Sequence, residues 1–425
     1  MADVRPFHAV IFRPDAPEMA AWTSTAPEPL SKLTAAEPEF SILSQGDGGK
    51  TESSAAWSDS ALRRVPAEAS GPAGLFVDRT EGYFAYRQSF RSEGGLERTR
   101  LGLVGQLQLG ERAPPPLLTQ DTEPFGVDWC AREIQASGLQ LRPVVAGVED
   151  TESELPALLE RAILERENPD LRLELPEGES HKLWKIEDPG LVREVTSFLA
   201  PKDAFLLDGL HGLRALRRVR PDAPSPVTVF FNLFDLSITF SSSVLLYPEL
   251  HGFNINDLIL RLNPAFEVKT FPFQDAQGLP RALADFREDV RLRGFTESVV
   301  GAFFAGVDHF FLFQLREGVE RDRIFLPDVP LPLREFDSVL LRKVIVEGHL
   351  CPGAEARAPE YCWSLEEAVA AVLGGRFGSL FLVNPPNKRK LASLARDGLR
   401  LPPGSLRLEP PVRSRLLMAG AAQPA

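Results

Sequence analysis

Asp208, Gly209 and His211 are the residues whose types and spacing point most clearly to chemistry. They follow the apolar run 204–207, which predicts a strand, and ligands of α/β proteins commonly bind beyond the carboxyl ends of strands. A carboxylate in that place can contact a ligand or a metal ion, and an imidazole can bind phosphate or move a proton. Asp208 could equally cap the helix predicted at 212–220, with Gly209 chosen for its backbone freedom. Both interpretations stay open from the residues alone.

The cysteines and the other histidines give no signal for a metal centre. The sequence has three cysteines, Cys130, Cys351 and Cys362, and contains neither a CxxC nor an HxxxH pair, so we predict no metal site. An odd, sparse cysteine count is typical of a reducing compartment, which predicts a cytoplasmic protein. The histidines interpreted as structural or surface residues are His8, His181, His309 and His349.

The charge balance argues against nucleic acid as a partner. The formal net charge is −12 at pH 7, whereas phosphate backbones require a concentrated basic face. The arginines at 214, 217, 218 and 220 are interpreted as the solvated end of a helix. Residues 1–14 lack the apolar run of a signal peptide, and the apolar stretch 303–315 is too short to cross a membrane, so it is interpreted as a buried strand. The expected partner is a small-molecule ligand or another protein.

Strand and helix patterns alternate along the chain and predict a mixed α/β (α+β) fold, a layered mixed sheet with flanking helices. Residues 82–90 and 101–109 flank a glycine turn, which predicts a hairpin. Asp188 and Pro189 suit the start of a helix. Further strands are predicted at 139–147, 182–186, 227–233, 237–246 and 379–383, and further helices at 152–165, 256–262, 281–292, 337–346 and 365–373.

We divide the sequence into three regions. Residues 1–140 form an N-terminal α/β region with the hairpin and a flexible loop near 45–73, which is rich in Ser, Ala, Gly and Pro. Residues 141–320 form a central α/β region that contains Asp208. Residues 321–425 form a C-terminal helix–strand region that we expect to pack on the rest.

The run from Leu206 to Leu213 resembles a strand ending in the pattern D-G-H-H-R, which marks the domain of unknown function family 1015. Other stretches resemble the same family in the same order, from residue 1 to about residue 418. These stretches are Pro6-Phe7, Tyr86-Arg87-Gln88 with Gly102, His181 to Trp184 with Asp188, residues 337–345, Asn384-Pro385, and Gly398 with Pro402. The resemblance rests on the fact that these stretches occur in the same order as in the family.

Several charged positions of these motifs carry other residues here. In D-G-H-H-R, Leu210 stands in place of the first His and Gly212 in place of the Arg. The other altered motifs are P-T-H-R, which falls on Pro248, Glu249, Leu250 and His251; H-E-x-T, near residues 119–122; an Asp-Arg pair, on Asp128-Trp129; and P-x-K-S-T, on residues 402–406. The losses include His, Arg, Glu and Lys from separate motifs.

The D-G-H-H-R motif is similar to one in the ParB and sulfiredoxin-like superfamily, where some members are nucleotide-dependent phosphotransferases, including free-serine kinases. The resemblance therefore implies a nucleotide or phosphate site, with ATP or ADP and magnesium as the cofactor. A developing phosphoryl charge needs positive groups or a metal ion. The remaining candidates are Asp208 and His211 as catalytic residues, and Gly209, Arg87, Asp128, Asp337 and Asn384 as ligand-binding residues.

Three hypotheses follow for the function. The leading one is a catalytically weakened or inactive member of a phosphotransferase-like family, which acts by binding a small ligand or a partner protein. The second is a working nucleotide-dependent kinase of a small hydroxyl-bearing metabolite such as an amino acid, with a site rebuilt around Asp208 and His211. The third is a purely structural interaction protein.

Overall fold

The computed structural model of the chain describes residues 2–12, 75–77, 80–92, 95–109, 115–164, 166, 168–175, 178–221, 225–248, 254–350, 359–362, 364–414 and 416–420. The predicted loop near 45–73 and the position of His251 lie outside these residues.

By their internal contacts, the described residues form two compact units. One contains the residues up to Thr239 together with 408–420, and the other contains residues 240–407. The units are defined in space, whereas the three regions 1–140, 141–320 and 321–425 are divided along the sequence, and that division stays a prediction.

The first unit is built on a nine-stranded mixed sheet. In sheet order its strands are β6 (Leu117–Leu118), β11 (Phe205–Asp208), β8 (Val144–Val148), β12 (Val227–Asn232), β5 (Glu97–Leu107), β4 (Tyr83–Arg91), β10 (Ser180–Ile186) and β9 (Leu171–Glu174), with β1 (Val4–Arg5) paired to β5. Strand β8 is parallel to β12 and β6 is parallel to β11, while the other pairs are antiparallel. Two short pairs accompany the sheet, β2 (Val10–Phe12) with β3 (Leu75–Val77) and β7 (Leu139–Gln140) with β21 (Ala419–Gly420). The predicted mixed sheet is confirmed.

Helices in this unit are α1 (Pro124–Ser137), α2 (Glu154–Leu164), α3 (Pro189–Leu199) and α4 (Leu210–Val219). Helix α3 begins as predicted, because the Asp188 side chain accepts the Leu191 N–H at 2.8 Å and Pro189 occupies the first turn. Leucines and valines of α2 and α3 pack with Ala85 and Leu103 in one core. Successive strand residues face opposite sides of a sheet. The residues next to Ala85 in β4 and next to Leu103 in β5 therefore face away from α2 and α3.

The second unit contains an antiparallel sheet. Its strands in sheet order are β15 (Phe266–Pro272), β17 (His309–Leu315), β16 (Val299–Phe304), β19 (Ser379–Val383), β14 (Ser243–Tyr247) and β18 (Glu360–Cys362). Its helices are α5 (Ile255–Leu262), α6 (Leu279–Arg293), α7 (Arg321–Ile324), α8 (Asp337–Val339, continuing as the π-helix Leu340–Leu350), α9 (Leu365–Leu373) and α10 (Lys388–Arg396), with a 3-10 turn at Leu331–Glu335. The remaining short strands of the chain are β13 (Thr239–Phe240) and β20 (Leu408–Glu409).

Three predicted strands are interrupted. The stretch 237–246 contains two separate strands, β13 and β14, with residues 241–242 between them. The stretch 303–315 is the end of β16, a turn at Gly306 with φ of 80°, and the whole of β17, so it is a hairpin and not one strand. The stretch 139–147 breaks at Pro143, which has no N–H to donate, into β7 and β8. Within the described residues, no helix is both long and apolar enough to span a membrane.

Candidate functional site

The turn at Asp208 and Gly209 lies at the end of β11, as the sequence predicts. The φ of Gly209 is 78°, and a Cβ at this position would lie 2.8 Å from the carbonyl oxygen of Pro143. Both the left-handed conformation and the close backbone therefore require glycine here. The Asp208 Oδ1 accepts the Gly209 N–H at 2.7 Å, so part of this carboxylate stabilises the turn.

His211 lies in the first turn of α4 and packs against α1. A Cβ at Gly126 of α1 would lie 2.5 Å from Cδ2 of the imidazole and 2.8 Å from Nε2. Burial lowers the pKa of His211 to about 4, and the nearby charge of Arg214 lowers it further. The imidazole is therefore neutral at pH 7 and contributes no positive charge to a phosphate.

The two altered positions of the motif differ in their surroundings. Leu210 is 3% exposed and belongs to the core beneath α2 and α3. At Gly212, in contrast, a Cβ would meet no atom within 4 Å. The loss of the motif's arginine at residue 212 is therefore not forced by packing.

Asp128 lies on α1, where its carboxylate pairs with Arg218 of α4, and both side chains are more than half exposed. A second pair joins Asp121 and Arg214 at 3.5 Å. Such exposed pairs contribute about 0–1 kcal/mol each. Two of the clustered arginines of α4 are therefore in ion pairs, one with Asp128 of α1 and one with Asp121, which precedes α1.

Arg87 faces the α2 and α3 side of the sheet, opposite to its neighbours Tyr86 and Gln88. Its guanidinium lies 5.3 Å from the centre of the Trp184 ring. This candidate does not meet the polar residues on the other face of β4.

That other face holds a buried polar cluster that the sequence did not predict. His181, Gln88 and Arg100 form one row across three neighbouring strands, because the register pairs His181 with Gln88 and Gln88 with Arg100. All three are at most 1% exposed. Gln88 could have been singled out, since it belongs to the Tyr86-Arg87-Gln88 stretch, but the row depends on strand pairing that no local pattern reveals.

Hydrogen bonds and one close charged contact connect the members of this cluster. Tyr86 Oη lies 2.8 Å from His181 Nδ1, and His181 Nε2 lies 3.3 Å from Glu179 Oε1. The Gln88 amide donates to Glu179, and Gln88 Oε1 accepts from Arg100 Nε at 2.9 Å. We call Tyr86, Gln88, Arg100, Glu179 and His181 the sheet-face cluster.

Burial sets the electrostatics of this cluster. It lowers the pKa of Arg100 to about 10, opposed by the charges of Tyr86, Glu179, Glu409 and Asp208. It also raises the pKa of Tyr86. For Glu179, burial favours the neutral form, but hydrogen bonds from His181 and Gln88 outweigh it and lower the pKa. The cluster therefore combines a desolvated cation with an ionised carboxylate.

Residues 408–414 and 416–420, which we call the C-terminal segment, lie over the sheet-face cluster. The Pro410 carbonyl accepts from Arg100, the Pro411 carbonyl accepts from Gln88 Nε2 at 3.2 Å, and the Arg413 N–H donates to Tyr86. A cavity with room for about one water molecule separates part of the segment from the sheet. It is lined by Tyr86, Val104, Pro143, Leu183 and Val229 of the sheet side and by Val412, Arg413, Leu416 and Leu417 of the segment.

Asp337 and Asn384 lie in the second unit, at one end of the β16–β19 pair. The Asp337 carboxyl accepts hydrogen bonds from the Val299 N–H and from Ser298, and burial raises its pKa to about 7 against the charges of Arg321 and Lys390. The Asn384 amide donates to the Val290 carbonyl at 2.9 Å. The second unit thus contains two of the predicted ligand-binding residues, Asp337 and Asn384. The other predicted site residues belong to the first unit, and they are Asp208, Gly209, His211, Asp128 and Arg87.

In the part of the chain that the structure describes, no three His, Cys, Asp or Glu side chains gather in an arrangement that could hold a metal ion. A magnesium ion that arrives with a nucleotide takes ligands from the phosphates as well as from protein.

One family model matches part of the chain. Residues 71–269 match the model of a family described as "Protein of unknown function (DUF1015)", which confirms the predicted resemblance over that segment. No curated protein matches the chain.

Several solved structures give distant matches, of which three follow. A conserved hypothetical protein from Pyrococcus furiosus has 12% identity and a TM-score of 0.34, covering 70% of this chain and 88% of that one. A free serine kinase in complex with AMP has 12% identity and a TM-score of 0.33, covering 69% and 83%. C-terminally truncated SbnI from Staphylococcus aureus has 10% identity and a TM-score of 0.30, covering 70% and 83%.

Proposed function

We propose that the chain, of which residues 71–269 match the model of the DUF1015 family of unknown function, is a catalytically weakened or inactive, phosphotransferase-like protein that works by binding a small ligand. The ligand class is a nucleotide, ADP or ATP with magnesium, bound beyond the end of β11. The observation that carries this proposal is the state of His211, which is packed against Gly126 and has a pKa of about 4.

The charge around the motif supports binding without efficient phosphoryl transfer. Stabilising the charge of a transferred phosphoryl group requires cations aimed at its oxygens. His211 is neutral at pH 7, Leu210 is apolar and buried, and Gly212 has no side chain. An imidazole with a pKa of about 4 is also a weaker base than an ordinary histidine near neutral pH.

Asp208 supports the same interpretation. Its carboxylate accepts the Gly209 N–H and so stabilises the turn on which the motif depends. A turn of this kind presents backbone N–H groups at the start of α4, which favours the negative charge of a phosphate without any catalytic side chain. The backbone could therefore keep affinity after the charged side chains are lost.

Thermal-shift titration of the purified full chain with ADP and ATP, with and without magnesium, tests the proposal. A ligand that binds only the native state raises its stability as the ligand concentration passes the dissociation constant. We expect a saturable rise in Tm that is reduced in His211→Ala, since this variant opens the α1–α4 contact beside the turn. We expect no phosphorylated product from serine or other small hydroxyl-bearing metabolites in the same samples.

A restored variant provides the matched comparison. Gly212→Arg introduces the cation of the family motif at a position with open space, so we expect it to bind nucleotide more tightly than the wild type does. Turnover that disappears in Asp208→Asn would instead establish an active kinase. The absence of any shift up to millimolar nucleotide, together with a stable complex recovered from cell extract, would favour a structural interaction protein.

A further inference from the structure

Arg100 is a buried cation whose direct contacts are all uncharged. It is 1% exposed and lies beside the rings of Phe90 and Phe231, each centred 5.3 Å from the guanidinium carbon. Among the residues that the structure describes, no carboxylate lies at ion-pair distance from its nitrogens; Glu179, Glu409 and Asp208 act on it only through space. Buried charges in proteins are normally paired or fully hydrogen-bonded.

The hydrogen bonds of Arg100 are also incomplete. Its Nε and Nη2 both donate to Gln88 Oε1, and Nη2 donates in addition to the Pro410 carbonyl. Its Nη1 is buried and has no hydrogen-bond partner. A buried polar group without a partner is rare in native proteins and calls for an explanation such as a missing ligand. The missing partner has to be an acceptor, because a guanidinium only donates.

The stretch that lies against Arg100 has the hydrogen-bonding character of an oxyanion. Pro410 and Pro411 have no backbone N–H, so at this point the C-terminal segment offers acceptors and no donors. Their carbonyl oxygens receive Arg100 and the Gln88 amide. Elsewhere under the segment, a cavity lined by Tyr86 and Leu183, but not by Arg100 or Gln88, shows that the segment does not fill all of the surface it covers.

We propose that Arg100 and Gln88 form a binding site for a small oxyanion, a phosphate or carboxylate group, and that the carbonyls of Pro410 and Pro411 occupy this site until such a group displaces the C-terminal segment. The planar fork of an arginine binds either group through two parallel hydrogen bonds. A charged oxyanion would also supply the acceptor that Nη1 lacks. This site lies on the sheet face and does not depend on nucleotide binding at the Asp208–Gly209 turn.

Hydrogen exchange in the full-length wild type tests the site without any substitution. The probes are inorganic phosphate and acetate, each titrated against sodium chloride of equal ionic strength. We expect one or both oxyanions to increase amide exchange in the C-terminal segment severalfold and saturably, since the segment loses its contacts with Arg100 and Gln88. The two arms identify whether phosphate or carboxylate is the preferred group. Exchange that is the same in both oxyanions as in chloride would overturn the proposal.

Variants assign the effect to Arg100. Arg100→Met keeps an apolar side chain of similar length beside the rings of Phe90 and Phe231, so we expect it to fold and to lose the oxyanion response. Arg100→Lys keeps the charge without the fork, so we expect a weaker response. Arg87→Met, on the same strand pair but the opposite face, is the control and should respond as the wild type does. If oxyanions still increase amide exchange of the C-terminal segment in Arg100→Met as they do in the wild type, the proposal is overturned. If they do so in Gly212→Arg, the oxyanion site is separate from the nucleotide site.

Discussion

His211 of α4 packs directly against Gly126 of α1. A Cβ on Gly126 would lie 2.5 Å from the imidazole Cδ2, a distance that side chains do not tolerate without movement. Protein interiors are packed as densely as organic crystals, so a neighbour cannot simply make room. The histidine that the motif offers as a ligand contact therefore also determines how closely the two helices approach.

Gly126→Ala tests this contact. The added methyl group must displace the imidazole or separate α1 from α4, and overpacking of this kind costs about 1–3 kcal/mol. We expect urea unfolding, followed by circular dichroism, to give a free energy of unfolding lower by that amount. In the His211→Ala background the same substitution should cost much less, because the imidazole is gone. Equal losses in the two backgrounds would show that His211 is not what excludes a side chain at residue 126.

Gly212→Ala should act in the opposite direction. Gly212 lies within α4, where a Cβ would meet no atom within 4 Å. Replacing an unconstrained helical glycine by alanine stabilises a protein by about 0.5–1 kcal/mol. The same urea experiment should therefore give a higher free energy of unfolding. A loss of stability would mean that α4 needs a glycine for a reason other than space.

Local patterns predicted much of the fold. The cap at Asp188, the turn at Gly209 and the hairpin of β4 and β5 depend on residues close in sequence, and all are present. Helix α10 was missed, because the basic residues after Asn387 resemble a solvated loop. Asn387 in fact caps the helix by accepting the Arg389 N–H at 2.9 Å.

The sheet-face cluster could not be predicted from local patterns. Arg100, Gln88 and His181 meet only because β5, β4 and β10 pair in one register. A shift of one residue in either pair would turn a member to the opposite face. The same argument explains why Arg87, although adjacent to Gln88 in sequence, lies with Trp184 on the other side of the sheet.

The lowered pKa of His211 predicts a pH-dependent stability. Its pKa in the folded state is about 4, below the ordinary value near 6.5. Between these values the unfolded chain binds more protons, so this contribution is complete above about pH 6.5 and is lost as the pH falls toward 4. From pH 7 to pH 5 we expect the wild type to lose about 1–2 kcal/mol more than His211→Ala, as measured by urea unfolding. Equal losses would contradict a buried neutral imidazole.

Asp337 predicts a dependence of the opposite sign. Its pKa in the folded state is about 7, above the ordinary value near 3.9, because burial disfavours the carboxylate more than Val299, Ser298, Arg321 and Lys390 favour it. The folded state binds the extra proton, so stability falls as the pH rises from about 4 to 7. Asp337→Asn cannot ionise but can still accept the Val299 N–H. Its Tm should fall less over this range than that of the wild type, and parallel curves would refute the assignment.

The most direct test of the proposed function is a product assay on protein that binds nucleotide. Wild-type protein, ATP, magnesium and a mixture of small hydroxyl-bearing metabolites that includes serine would be incubated together and analysed by mass spectrometry for phosphorylated products. A weakened or inactive binding protein yields either no phosphorylated metabolite or only a trace, well below one molecule of product per molecule of protein. Many turnovers per protein molecule with the wild type, absent with Asp208→Asn, would contradict the account and identify a working kinase.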